Sequence, residues 1–203
     1  MGLALALSAQ LSAAATIFYS GTLASDDALF SQDFTLNIAG LVTLNTLSYA
    51  GGDSSLGTTV AAGGFAPELS LFDQGSGALI QWANASGCAG KPDPSTGFAW
   101  DACISTNLVV GSYRLVLSQS GNDPLGGMAD GFSQTGNPNF SAVNGVDPNA
   151  IFVDLGGAQR DGHWALDVTA LALSTPPVPE PSTWLLLTAG LLGLRRFVPR
   201  HRA

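Results

Sequence analysis

The sequence has very few of the charged residues that usually cover the exposed face of a helix. Charged residues make up only 11% of the 203 residues, and glutamate and lysine together occur three times, whereas soluble domains usually carry about a quarter. Glycine is abundant, and leucine, valine, threonine and serine are plentiful. This composition disfavours amphipathic helices and predicts short strands joined by tight turns.

Basic residues are almost absent before the C-terminal tail. Up to residue 173 the chain holds three, Lys91, Arg114 and Arg160, against fourteen acidic residues, so the formal charge there is 3 − 14 = −11. Domains that bind nucleic acid need a basic surface to neutralise phosphates. We therefore expect no nucleic acid as a partner, and the acidic surface suits solubility, divalent cations or basic partners.

The motifs of common hydrolases are missing from the sequence. It has no G-x-S-x-G elbow and no H-E-x-x-H pair. The one histidine before the tail, His163, opens a predicted strand, and we expect a structural residue there and not a general base. Two placed carboxylates would suffice for a glycosidase. We predict a non-catalytic protein, with a secreted hydrolase of unrecognised type as the alternative.

Cysteine occurs only twice, at Cys88 and Cys103, with fourteen residues between the two. This spacing matches no C-x-x-C zinc motif, and no histidine lies nearby. In an exported protein the pair predicts a disulfide, which would stabilise the fold by about 3 kcal/mol in the chain-entropy model. Two free thiols are the alternative.

Residues 1–15 have the composition of an export signal. Residues 3–7 form a short apolar run, and the three alanines at 13–15 fit the rule for signal cleavage, although no basic segment precedes the run. We predict a signal peptide that lacks its first part. A short N-terminal helix is the alternative.

Residues 174–203 combine a proline-rich linker, an apolar run and a basic end. The prolines keep residues 174–182 extended, and residues 184–194 are all apolar, Gly, Ala or Thr. We predict one helix over residues 183–196, detached from the domain, whose apolar part spans about 16 Å, roughly half of a bilayer core. The arginines after it act as a stop and place the tail in the cytoplasm. They are Arg195, Arg196, Arg200 and Arg202.

A Pro-Glu-Pro triplet precedes the apolar run, in the stretch Val178, Pro179, Glu180 and Pro181. The triplet, the short helix and the terminal arginine cluster together resemble the PEP-CTERM sorting signal of Gram-negative bacteria. The resemblance implies a transient hold in the inner membrane and an exosortase that cuts near the triplet and passes the domain to the cell envelope or extracellular matrix. Exopolysaccharide or matrix components are implied as further partners. An ordinary single-span anchor is the alternative.

Residues 16–173 alternate apolar and polar side chains with a period of two. Glycine-rich turns separate the runs, and the turn at residues 39–40 predicts a hairpin between the runs on either side of it. Many short antiparallel strands at this spacing predict an all-β, jelly-roll-like sandwich. The apolar positions of three runs are Phe34, Leu36 and Ile38; Tyr113, Leu115 and Leu117; and Trp164, Leu166 and Val168.

Two stretches of this body, residues 63–80 and 108–123, are similar to β-sandwich ectodomains related to bacterial pre-peptidase C-terminal domains. The resemblance covers residues 18–171 and implies an accessory or binding module with no catalytic residues to transfer. The sequence departs from it at residues 82–84, where acidic residues often follow the second strand. With the tail, this predicts an exported, exosortase-sorted envelope or matrix protein with a non-catalytic binding or structural role.

Several aspartates fall in predicted loops, where oxygen ligands could bind calcium or serve ordinary turns. No stretch follows the EF-hand spacing, so we expect no cofactor, with bound calcium as the alternative. The candidate ligands are Asp26, Asp27, Asp73, Asp101, Asp123, Asp130 and Asp161.

Three aromatic residues, Trp82, Phe98 and Trp100, flank the predicted cysteine loop. Exposed rings in a loop can stack on sugars or anchor a partner. The alternative is that they pack beneath the loop.

Overall fold

The computed structural model describes residues 14–84, 90–171, 173 and 174. The predicted signal peptide up to residue 13, Cys88, the proline-rich linker after residue 174, the C-terminal helix and the four arginines lie outside the described residues. The two short 3-10 helices span Met128–Asp130 and Phe140–Asn144. In the described part of the chain, no helix has the length and apolar character needed to cross a membrane.

The described residues form an antiparallel all-β domain, as predicted. Its strands in chain order are β1 (Ala14–Thr22), β2 (Phe30–Leu36), β3 (Gly40–Thr46), β4 (Gly52–Asp53), β5 (Thr59–Val60), β6 (Pro67–Asp73), β7 (Leu79–Ala83), β8 (Cys103–Leu108), β9 (Gly111–Gln119), β10 (His163–Leu171) and β11 (Leu173–Ser174).

Two sheets contain most of these strands. The first has the order β1-β10-β3-β8, the second has the order β11-β2-β9-β6-β7, and β4 pairs with β5 in a separate hairpin. Without β11, the two four-stranded sheets have the strand order of a jelly roll built from two Greek keys. The jelly-roll prediction is therefore confirmed.

The period of two determines which side chains reach the core between the sheets. Along β9, Leu115 and Leu117 are fully buried between the sheets, whereas Val116 packs with Phe72 and Phe132 in a separate cluster. The outer face of the second sheet is thus partly covered as well, by the connection between β9 and β10. That connection runs over residues 120–162 and builds much of the site described below.

The predicted hairpin at residues 39–40 is wrong. β2 pairs with β9 and β11, whereas β3 pairs with β10 and β8, so the turn between β2 and β3 crosses from one sheet to the other. Ile38 lies in this crossing turn and is 44% exposed. The other predicted apolar positions lie in strands, and all of them are buried.

The two ends of the domain lie side by side in the first sheet. β1 pairs with β10 over nine residues, with Ala14 opposite Leu171 and Ala15 opposite Ala170. The first strand therefore begins two residues before the predicted domain start. Residue 174, where the predicted linker begins, ends β11 at the edge of the second sheet.

Candidate functional site

A cavity of about 140 Å³ lies at one end of the sandwich. β6 begins at this end, and its antiparallel neighbours β7 and β9 finish there. The segment before β8 and the long connection from β9 to β10 complete the walls. The loops of a rigid β framework usually carry binding residues, so this cavity is the candidate site.

Aromatic side chains form one wall of the cavity. Phe65 stacks on Phe152 with ring centroids 5.3 Å apart. Trp100 also lines the cavity, and its ring lies parallel to that of Phe98 at 4.2 Å. Phe98 is 44% exposed. Of the two predicted alternatives for these aromatics, Trp100 packs beneath the loop, whereas Phe98 covers Trp100 from the solvent side and Trp82 is 40% exposed.

Phe152 adopts a backbone conformation that a bulky residue rarely adopts. Its φ is 57°, and among the described residues it is the one residue other than glycine with a positive φ. Such a conformation costs about 1–3 kcal/mol and persists only where neighbours enforce it. Asp26 does so, since its Oδ1 accepts the Phe152 N–H at 2.6 Å and its Oδ2 accepts the Ser141 N–H at 2.8 Å.

The charged residues of the cavity are paired within the protein. The Arg160 Nη2 donates to Asp93 Oδ2 at 2.9 Å and to the Tyr49 carbonyl at 2.7 Å, and its Nε donates to the Gly64 carbonyl at 3.1 Å. The guanidinium lies 4.0 Å from the centre of the Tyr49 ring. Asp154 accepts the Tyr49 hydroxyl at 2.7 Å. Asp93 therefore offsets the charge of Arg160, whereas the Asp154 carboxylate is held by hydrogen bonds from neutral donors.

These contacts shift the ionisation of two groups. Burial would raise the pKa of Asp93, but hydrogen bonds from Arg160, Ser95 and Thr96 outweigh burial and hold that pKa well below its ordinary value. Burial, together with the hydrogen bond to Asp154, raises the pKa of Tyr49. At neutral pH, Asp93 is thus ionised and Tyr49 is neutral.

Neutral polar groups complete the lining. Gln119 is 3% exposed, and its Oε1 has no hydrogen-bond partner in the protein. Ser120 and Asn144 line the same cavity. A buried polar atom without a partner costs about 1–3 kcal/mol and calls for an explanation.

Asp101, a predicted calcium ligand, binds the backbone instead. Its Oδ1 accepts hydrogen bonds from the N–H groups of Ser48 and Tyr49 and from the Thr46 hydroxyl, and its Oδ2 accepts the Ala50 N–H. The four contacts measure 2.7–3.1 Å, and Asp101 is 6% exposed. The Asp101 carboxylate therefore fixes the conformation of residues 46–50, where the chain leaves β3.

The other calcium candidates are also engaged locally. Asp27 accepts the Ser25 hydroxyl and the Gly136 N–H, Asp73 accepts two groups of Ser76, and Asp130 accepts the Gly127 N–H. Asp161 pairs with His163, and the Asp123 side chain interacts with that of Glu68. In the described ranges, no three His, Cys, Asp or Glu side chains are grouped to hold a metal ion. Calcium binding stays a prediction.

His163 lies where the sequence places it, at the start of β10. Its Nδ1 contacts Asp161 Oδ1, and its Nε2 lies 3.1 Å from the Ala61 carbonyl. Both ring nitrogens thus tie β10 to neighbouring loops. Cys103 begins β8, but its predicted partner lies outside the described residues, so the disulfide stays a prediction.

Glu68 is a buried carboxyl that belongs to no motif in the sequence. It is 2% exposed, and it accepts the Trp82 indole N–H and the Gly121 N–H, both at 3.1 Å. Burial, with a smaller contribution from Asp123, raises its pKa to about 7. Periodicity places Glu68 on the outer face of β6, but only the later connection, through Gly121, covers it.

We expect the effect of Glu68→Gln on stability to depend on pH. Because the folded pKa of about 7 exceeds the ordinary 4.5, stability is lost as the pH rises through this interval. The variant replaces one of the two acceptor oxygens by a donor at every pH, but it also removes the charge. Relative to its value near pH 4.5, the change in the free energy of unfolding should therefore be about 1–3 kcal/mol more favourable near pH 8. Urea unfolding at both pH values measures this. An equal difference at the two pH values would contradict it.

Among protein families, the PEP-CTERM protein-sorting motif matches residues 177–200. The match includes the Val178–Pro181 stretch and three of the four arginines. No curated protein matches the chain, and the resemblance of the body to pre-peptidase C-terminal domains stays a prediction. C-terminal to its jelly roll, the chain therefore carries a PEP-CTERM sorting motif. This motif indicates an exported protein that an exosortase recognises.

Proposed function

We propose that the chain is a cell-envelope or extracellular-matrix protein whose jelly roll has a non-catalytic binding role. In this proposal a signal peptide at residues 1–15 directs export, and the C-terminal helix holds the protein briefly in the inner membrane. The exosortase then cuts near residues 178–181. The acidic domain is passed outward, where exopolysaccharide or other matrix components are its partners.

The observation that carries the binding role is the cavity at the end of the sandwich. It combines an aromatic wall with neutral polar groups, a composition typical of small-molecule sites. Its two charged residues, Asp154 and Arg160, are committed to partners in the protein. A catalytic acid or base must instead reach the substrate, and Glu68, whose pKa lies near neutrality, is 2% exposed.

The predicted bridge from Cys88 to Cys103 has a role in this proposal. The loop that it would close contains Asp93, Phe98 and Trp100, which contribute the ion pair and part of the aromatic wall. A covalent closure would restrict this loop in the unfolded chain. It would thereby favour the ordered rim of the cavity in an exported protein.

The test incubates the full chain with extracellular polysaccharide from its native host. We expect the protein to co-sediment with the polymer in proportion to its concentration, while no new reducing ends accumulate over hours. A heat-unfolded sample is the control for unspecific adsorption. Reducing ends that increase with protein concentration would establish the hydrolase alternative, and absence of co-sedimentation would reject polysaccharide as the partner.

A further inference from the structure

We propose that the end of the sandwich from which the tail leaves rests on the surface of the inner membrane while the tail holds the chain there. This end, which we call the tether end, consists of the turns at residues 37–39 and 109–110 and the start of β3. The inference rests on the proposed function, since it needs the membrane-bound intermediate, and it adds a contact between the domain and lipid. Topology, exposed apolar side chains, charge and the position of the chain ends each support it.

Strand pairing brings the parts of the tether end together. Gly40 of β3 lies opposite Leu108 of β8, and Leu36 of β2 lies opposite Gly111 of β9. The two turns that join these strands therefore run side by side. Each of them carries the chain from one sheet to the other.

Four large apolar side chains of the tether end are exposed. Val109 and Val110 form one turn and are 71% and 60% exposed, whereas Ile38 in the other turn and Leu41 at the start of β3 are 44% and 52% exposed. Because the two turns are neighbours, these side chains form a group and are not scattered singly. Grouped exposed apolar side chains mark contacts with other proteins or with membranes.

The tether end is an uncharged part of an acidic domain. Residues 34–45, 102–113 and 168–174 contain no Asp, Glu, Lys or Arg. Two acidic residues, Asp73 and Asp130, lie to one side of this end, near the β6–β7 turn. Anionic headgroups repel an acidic surface, so the uncharged, apolar surface is the one with which this domain can approach a bilayer.

The segments that flank the domain join it at the tether end. Ala14, the first residue of β1, lies opposite Leu171, whose side chain packs beside the first residue of β3. Ser174 pairs with the next-to-last residue of β2. Residues 175–183 then join the domain to the apolar run of the tail, and a linker of this length reaches at most about 30 Å. A tail held in the membrane therefore keeps the tether end close to the bilayer.

With the tether end on the bilayer, the cavity faces outward. The nine-residue strand β9 begins at the tether end, and its last residue, Gln119, lines the cavity. A strand of this length spans about 30 Å. The cavity therefore lies about that far from the headgroups, on the side where the proposed matrix partners are.

The test places the full chain in nanodiscs of phosphatidylethanolamine and phosphatidylglycerol in which some headgroups carry chelated gadolinium. Gadolinium broadens the NMR signals of methyl groups close to the headgroups, and lutetium replaces it in the control. We expect strong broadening of the Val109, Val110 and Leu41 methyl signals. We expect little broadening at Val143 and Val146, which are 88% and 104% exposed and flank a cavity-lining residue.

A matched pair of double variants tests whether the apolar group makes the contact. Val109→Asp with Val110→Asp introduces two carboxylates at exposed turn positions, which aspartate tolerates. Val143→Asp with Val146→Asp adds the same charge far from the tether end, so that unspecific repulsion by anionic lipid is matched. The first pair should shift the contact equilibrium toward the released domain by at least about tenfold, or roughly 1.4 kcal/mol. The second should behave as the natural chain does, and melting temperatures confirm that both variants are folded.

Equal broadening at the two ends of the domain would overturn the inference, as would unchanged broadening in the folded Val109→Asp, Val110→Asp variant. Methyl shifts that depend on protein concentration, without broadening by gadolinium, would assign the apolar group to a contact between two copies of the chain and would also overturn it. If the chain enters the nanodiscs but the tether end stays away from the headgroups, only this inference fails. A chain that does not enter them would overturn the membrane-held step of the proposed function as well.

Discussion

Replacement of Arg160 by alanine should lower the free energy of unfolding by about 4 kcal/mol. The change removes the partner of the Asp93 carboxylate, whose side chain is 1% exposed, and the donors to two backbone carbonyls, at Tyr49 and Gly64. Removing one member of a buried ion pair leaves an uncompensated charge in a poorly solvated place. Urea unfolding near neutral pH, followed by tryptophan fluorescence, measures the loss.

Arg114→Ala is the matched control for this prediction. Arg114 forms a bidentate pair with Asp33, but the two side chains are 41% and 30% exposed. Water solvates such a pair, so its loss should cost less than about 1 kcal/mol. Equal losses in the two variants would show that burial does not govern the strength of the Arg160 pair.

The Arg160→Ala deficit should also depend on pH. Asp93 has a lowered pKa in the folded protein, so its stabilising effect is present above its unfolded pKa and is lost as the pH falls through the folded value. In the variant, protonation of Asp93 relieves the unpaired charge. The difference between the two proteins should therefore shrink below about pH 4.

Asp101→Ala should lower the free energy of unfolding by a comparable amount, about 3–5 kcal/mol. It deprives three backbone N–H groups and the Thr46 hydroxyl of their shared acceptor in a buried turn. Each buried donor without a partner costs about 1–3 kcal/mol, and these costs do not add fully. The same urea experiment measures the effect.

Two further variants show whether the acceptor role explains the Asp101 effect. Asp101→Asn keeps one acceptor oxygen and should lose about half as much. Asp73→Ala, which removes an acceptor from the exposed β6–β7 turn, should lose far less. An Asp101→Ala variant as stable as the natural chain would contradict the account of this turn.

The sequence predicts the architecture because alternation with a period of two encodes which face of a strand is buried. The strand partners are encoded less directly. The turn at residues 73–77 joins paired strands, β6 and β7, whereas the one at residues 39–40 joins strands of different sheets. Both look alike in sequence, since a short glycine-containing turn does not specify whether the chain folds back or crosses over.

The site was predicted only in part. The sequence points to Trp100, because it lies within the predicted cysteine loop. It does not point to Gln119, which is one polar residue at the end of an apolar run, or to Phe152, which lies in a connection without periodicity. The sequence predicts the aspartates as calcium ligands, whereas Asp26 and Asp101 accept hydrogen bonds from backbone N–H groups. A carboxylate that binds a cation and one that binds its own backbone have the same sequence signature, and only the fold brings Asp26 to Phe152 and Asp101 to residues 48–50.

The most direct test of the central claim is the intact mass of the protein isolated from its native host, with and without the host's exosortase. The account predicts that the segment after residues 178–181 is missing only when the enzyme is present, with the jelly roll recovered in the envelope or the medium. An uncut tail in both strains would contradict exosortase sorting and would make the tail an ordinary membrane anchor.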